Sequence, residues 1–114
     1  DTLYVVDALN YRIQSLLPSG KFLSAFGSMG SGLGTFAGPK AIARDSEGHL
    51  YVSDALLDDI QVFDTAGRLL LVVGRQGTAN GEFMSPAGIA IDRHDRLYVV
   101  DALNRRIQIF QYMR

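Results

Sequence analysis

Leu50 to Val73 reads LYVSDALLDDIQVFDTAGRLLLVV and divides into three short strands joined by two turns. Aromatic and β-branched residues concentrate at about 49–54, 59–64 and 68–73, with polar turn residues between them. The first of these strands returns twice, as Leu3-Tyr4-Val5-Val6-Asp7 and as Leu97-Tyr98-Val99-Val100-Asp101. The three copies stand 47 residues apart with no gap. A period of that length marks one supersecondary unit repeated along the chain.

The segments between the copies keep the same register. Residues 27–39 read GSMGSGLGTFAGP and residues 74–86 read GRQGTANGEFMSP. Glycines 27, 30 and 34 align with 74, 77 and 81, Phe36 aligns with Phe83, and Pro39 aligns with Pro86. A floppy linker has no reason to hold a phenylalanine and a proline in register. An ordered crossover is expected, with Phe36 or Phe83 plugging a gap between packed sheets. A short apolar strand follows each proline, Ala41-Ile42-Ala43 or Gly88-Ile89-Ala90-Ile91, and leads to Asp45 or Asp92 and a polar turn.

Strands at 2–7, 12–17 and 21–26 complete the reading. If the strands of one unit are a, b, c and d, the chain runs b, c, d, then a, b, c, d, then a, b, c: ten strands. Short turns join a to b, b to c and c to d, so each unit is an antiparallel meander. The glycine-rich loop carries d to the next a. Four-stranded meanders at this period are the blades of a β-propeller. The expected fold is therefore all-β, with about two and a half blades at 1–38, 39–85 and 86–114 in a single segment. Leucine-rich and ankyrin-type repeats need helices, and no stretch here sustains a helical period.

Composition sets further bounds. The chain has 114 residues, 47% of them apolar, enough for a packed core. A formal net charge of −1 argues against a bulk electrostatic grip on nucleic acid. The absence of cysteine excludes disulfides, thiolate ligands and a cysteine nucleophile, and leaves the compartment open. The longest strongly apolar run, Leu69 to Val73, falls far short of the ~20 residues of a membrane span. Asp-Thr-Leu-Tyr at the N-terminus does not read as a signal peptide.

The run Pro86-x-Gly88-Ile89-Ala90-Ile91-Asp92, then Leu97 to Asp101, then Asn104-x-Arg106-Ile107-Gln108-Ile109-Phe110 closely resembles the NHL repeat. The copy from Pro39 to Gly74 adds a Gly67 turn and a strand ending in glycine. The resemblance implies a propeller, usually of six blades. It implies scaffolding or protein-binding roles, RNA binding in some animal members, and a peptide-amidating lyase in one branch. The middle copy departs from the pattern. Leu57-Asp58-Asp59 stands where its neighbours have Asn10-Tyr11-Arg12 and Asn104-Arg105-Arg106.

Ten strands do not close a ring. A blade face burying ~600 Å² would contribute on the order of 15 kcal/mol, more than a typical whole-domain stability. Such a wedge is expected to meet other blades. Either the chain is the C-terminal part of a longer propeller, or it is a self-assembling unit whose near-duplicate ends, LYVVDALNYRIQ and LYVVDALNRRIQ, occupy one slot in a shared ring.

Asp7, Asp54 and Asp101 each end strand b. A ring of carboxylates could hold a cation. A turn cap accepting backbone N–H groups and meeting Arg12 or Arg106 explains three copies more simply. His49 and His94, the only histidines, are not register-equivalent, so no metal or other cofactor is expected. Ser53 and Ser85 lack a nucleophile elbow, and GSMGSGLG lacks the lysine and following helix of a phosphate loop. The b–c turns and d–a loops share one face, which offers Asn10, Tyr11, Arg12, Asp58, Asp59, Arg75, Gln76, Asn104, Arg105 and Arg106. Mixed charge with tyrosine and arginine suits a protein or peptide partner. The opposite face carries Asp45, Glu47, Asp64, Asp92 and Asp95. The expected role is non-catalytic binding or scaffolding, with a protein, a peptide or further blades as partner. The rivals are a propeller enzyme, lyase- or hydrolase-like, with its active site in other blades, and RNA binding through Arg12, Arg75, Arg105 and Arg106.

Overall fold

The computed structural model describes residues 1–111. Tyr112, Met113 and Arg114, assigned by the repeat to the end of the last strand, lie outside the described residues. Ten strands are present among the described residues: β1 (Leu3–Asp7), β2 (Arg12–Leu16), β3 (Phe22–Phe26), β4 (Pro39–Arg44), β5 (Leu50–Asp54), β6 (Asp59–Phe63), β7 (Leu69–Val73), β8 (Pro86–Ile91), β9 (Arg96–Asp101) and β10 (Arg106–Gln111). They form three antiparallel sheets in the orders β1-β2-β3, β4-β5-β6-β7 and β10-β9-β8. Strand ends fall within a residue or two of the alternation-based bounds.

The register follows the repeat down to its irregularities. β2 and β6 break step against their outer neighbours at Ser15/Leu16 and Val62/Phe63, which are equivalent positions. β4 and β8 both slip after their first proline. A proline has no N–H to give the ladder, and an extra residue there adds twist.

Packing explains why the strands read as continuous apolar runs. In the middle sheet Val52 and Ser53 point to opposite faces, and both are fully buried. Ile13, Phe36, Leu50, Val52 and Phe63 fill the first seam, with Tyr4, Val6 and Phe26 packed against them. Ile60, Phe83, Leu97 and Val99 fill the second, with Tyr51, Val73 and Phe110.

The b–c turns are tighter than plain hairpins. Ala8–Asn10 and Ala102–Asn104 form single 3₁₀ turns, and the next residues, Tyr11 and Arg105, adopt left-handed backbone at φ 57° and 55°. Asp58 takes the same conformation at φ 55° in the middle copy. The acidic face is also less free than its composition suggests. Asp45, Asp64 and Asp92 turn back on their own loops: each Oδ1 accepts two backbone N–H groups, and each Oδ2 accepts from His49 and Tyr51, from Arg68, or from Arg96 and Tyr98.

Candidate functional site

The aspartates that end strand b organise the b–c/d–a face. Asp54 is fully buried. Its Oδ1 accepts the N–H groups of Gly38, Leu56 and Leu57, and its Oδ2 that of Ala37 at 2.8 Å. One carboxylate therefore ties its own turn to the loop arriving from the preceding blade. Asp101, also fully buried, accepts Met84 N–H at 2.8 Å and side-chain donors from Asn104, Arg106 and Gln108. Burial pushes the Asp101 carboxyl up, but those hydrogen bonds outweigh it and hold the group below the usual carboxylate range. Asp7 is held low by Arg12 first, then by Asn10 and Gln14.

Two glutamines complete the grip, one on each crossover. Gln61 donates to Thr35 O at 2.7 Å and accepts Gly34 N–H at 2.9 Å. Gln108 does the same with Glu82 O and Gly81 N–H. The motif-by-motif reading of the sequence did not single them out. Their signal was a glutamine at the inward phase of strand c, opposite Val52 or Val99. Gln108→Ala should cost about 1–2 kcal/mol in urea unfolding, because it leaves the Gly81 N–H without its acceptor and removes one of the two donors to the Glu82 carbonyl. A change below about 0.3 kcal/mol would show that the loop does not need the clamp.

The phenylalanines sit under these clamps. Phe36 and Phe83 are fully buried. Each packs so closely on a glycine that a Cβ at Gly27 would lie 2.6 Å from the Phe36 ring, and one at Gly74 would overlap Phe83. Both glycines also have positive φ, 105° and 86°, so strand d must end in glycine for two reasons.

The polar residues expected at this face divide into two groups. Arg106 points inward, with Nε on Asp101 and Nη2 on the carbonyls of Ala79 and Glu82. Asn104 bonds Gly77 O and Asp101. Arg12 and Asn10 bond Asp7. Asp58 accepts Ser85 N–H, and Arg75 pairs with Glu82 at 3.0 Å. Of the four arginines available for RNA, three are therefore committed to carboxylates. Gln76 and Arg105 are exposed, and Tyr11 is half-buried among the residues packed on the first seam.

Asp59 replaces the arginine of the other two copies. Its Oδ1 is buried with no hydrogen-bond partner among the described residues. Burial, then the negative charges of Asp54 and Asp58, push its carboxyl up to about 7. Among the described residues no group of three or more histidines and acids is placed to hold a metal, and no helix is long and apolar enough to cross a membrane.

The face also carries apolar residues that the strand-based reading passed over. Leu9, Leu56 and Leu103 occupy one register position in the three b–c turns and are 91%, 71% and 67% exposed. Leu33 and Met29, on the first crossover loop, are 80% and 70% exposed.

Comparison with known proteins places this architecture. No curated protein matches the sequence. A structural genomics protein of unknown function from Bacteroides thetaiotaomicron superposes with a TM-score of 0.78 at 16% identity, over 96% of this chain and 32% of that one. An auxiliary nutrient binding protein from the same organism gives 0.72 at 16% identity, over 95% and 34%. Virginiamycin B lyase from Staphylococcus aureus gives 0.65 at 16% identity, over 99% and 38%. The chain thus spans about a third of the length of these structures, and at such identity the likeness is one of fold. Residues 42–113 match the family model DUF5128, described as a 6-bladed beta-propeller. With its three packed meanders and most of its length inside that match, the chain belongs to this six-bladed β-propeller family.

Proposed function

We propose that these blades are of the NHL type and serve a binding or scaffolding role, with a protein or peptide docking on the b–c/d–a face. The observation that carries this reading is the row of Leu9, Leu56 and Leu103. A solvated rim has no use for a leucine at the tip of every b–c turn, since exposing it gains nothing and burying it against a partner is favourable. The alternating charges of Asp58, Arg75 and Arg105 lie on the same face and would orient a partner. The lyase and nutrient-binding neighbours support the propeller and do not choose between chemistries. The pairing of Arg12, Arg75 and Arg106 with Asp7, Glu82 and Asp101 weighs against RNA.

Peptides selected on the chain from a random display library test the reading. They should bind the Leu56→Ser/Leu103→Ser double variant about tenfold more weakly or worse, a loss typical of two truncated anchors. A Ser19→Ala variant, changed in a c–d turn on the opposite face, should bind them unchanged. Equal affinity for the leucine variant would remove the face from consideration.

A further inference from the structure

The second crossover carries Asn80-Gly81, the one place in the chain where glycine follows an asparagine. Asn10 and Asn104 precede Tyr11 and Arg105, and their amides are held by Asp7, or by Asp101 and Gly77 O. Asn80 is exposed. The turn it occupies does not require it. Glu82 N–H donates to Ala79 O at 3.0 Å and Gly81 has φ 80°, which makes 79–82 a type II turn. Residues 32–35 form the same turn, with Thr35 N–H on Gly32 O and Gly34 at φ 78°, and there Leu33 takes the asparagine's place.

Asparagine before glycine is a reactive pair. The glycine nitrogen attacks the side-chain carboxamide carbon, and no side chain blocks its approach. A C–N bond forms, the carboxamide C–N bond breaks, and ammonia leaves with the proton from the glycine nitrogen. Water then adds across either C–N bond of the five-membered imide. One opening gives aspartate, and the other gives isoaspartate, whose backbone runs through the former side chain.

The fold holds this pair out of reaction. Type II geometry sets ψ of Asn80 to about +120°, which turns the Gly81 nitrogen away from the side chain. Ring closure needs that bond rotated until C–N eclipses Cα–Cβ. The Gly81 N–H is also committed to Gln108 Oε1 at 2.9 Å. Arg106 Nη2 holds Ala79 O at 2.8 Å, and Gln108 Nε2 holds Glu82 O at 2.7 Å, so both ends of the turn are pinned. These contacts all come from β10 and are released together when the crossover lifts.

We propose that Asn80-Gly81 is a latent modification site that the Arg106 and Gln108 clamp keeps unreactive, and that opening of the crossover converts it to isoaspartate or aspartate. The isoaspartyl product adds one carbon to the backbone and places a new carboxylate two residues from Glu82. The Gly81 N–H then no longer meets Gln108, so the loop does not close as before. The reaction is a one-way record of crossover opening. It needs no partner on the leucine turns and stands apart from the binding role.

Incubation of the 114-residue chain, and of a synthetic peptide of residues 74–91, at mildly alkaline pH tests it. Isoaspartate is counted by methylation with a protein isoaspartyl methyltransferase and located by peptide mapping. It should be confined to residue 80 and form about tenfold more slowly, or slower still, in the folded chain than in the peptide. A folded Gln108→Ala chain should react about tenfold faster than wild type, the rise in open population expected on losing one buried hydrogen-bonding side chain. Arg106→Lys, which keeps the charge beside Asp101 but loses the forked contact to the loop, gives the same reading where Gln108→Ala fails to fold. Asn80→Leu should form no isoaspartate at this position. A wild-type chain that reacts as fast as the peptide, or folded clamp variants no faster than wild type, would overturn the proposal.

Discussion

Phe83→Ala is expected to lower folding stability by ~3–5 kcal/mol, the range for truncating a fully buried aromatic. The reasoning starts from the loop. Residues 74–86 could not be ordered by glycine and small polar residues alone, because each fixed glycine loses more conformational freedom than any other residue. Phe83 supplies the compensating burial. Its ring lies among Ile60, Leu97 and Val99, 5.7 Å from the Phe110 centroid. Its backbone N–H and C=O bond Arg75 and Gly77, which closes the loop on itself. Removal therefore opens a cavity in the second seam and loosens the loop that Asp101 and Gln108 hold. Urea unfolding of Phe83→Ala, with Phe36→Ala as its register twin and Leu103→Ala as an exposed control within about 0.5 kcal/mol of wild type, checks this. A Phe83→Ala loss as small as that of the control would mean that the crossover is not pinned by its phenylalanine.

Much of this was legible because the chain repeats itself. Phe36 and Phe83, the prolines after them and Asp7, Asp54 and Asp101 keep one spacing, and a spacing kept across copies reports a structural need. What the repeat did not reveal was which face of each strand is buried. In LYVSD both faces are covered, so alternation carries no sign; in LYVVD at either end of the chain only one is, and the residues are nearly the same. Val99 and Val100 are thus interchangeable to the eye but not to the fold, the first being fully buried and the second exposed. The leucines at 9, 56 and 103 were hidden for the opposite reason. An apolar residue beside a strand is readily counted with the core, and only the turn after strand b throws it outward. The loss of arginine at position 59 was visible in the sequence. That the replacing carboxylate keeps a buried, unpartnered oxygen depends on the closeness of the preceding loop, which no local pattern encodes.

That carboxylate yields the second large effect. Asp59→Asn should raise stability by ~2 kcal/mol at pH 8, a gain that shrinks as pH falls through the window and vanishes below about pH 4. The folded chain holds the Asp59 proton up to about pH 7, while the unfolded chain releases it near 3.8. Between those values the folded state binds the extra proton, so wild-type stability falls as pH rises through that window and is lowest above it. The full difference in proton affinity would correspond to roughly 4 kcal/mol, and partial exposure of the side chain to water halves it. Asparagine matches the shape without the charge and removes the penalty only where the charge exists. Asp59→Arg probes the site from the other side. Arg106 satisfies Asp101 and the carbonyls of Ala79 and Glu82, and the equivalent acceptors beside residue 59 are Asp54 and the carbonyls of Gly32 and Thr35. An arginine there should stabilise at every pH, with a flatter profile than wild type. Thermal unfolding of the three proteins from pH 4 to pH 9 decides the matter. Parallel curves for wild type and Asp59→Asn would show that the carboxylate reaches water and that the middle blade tolerates its two acids without cost.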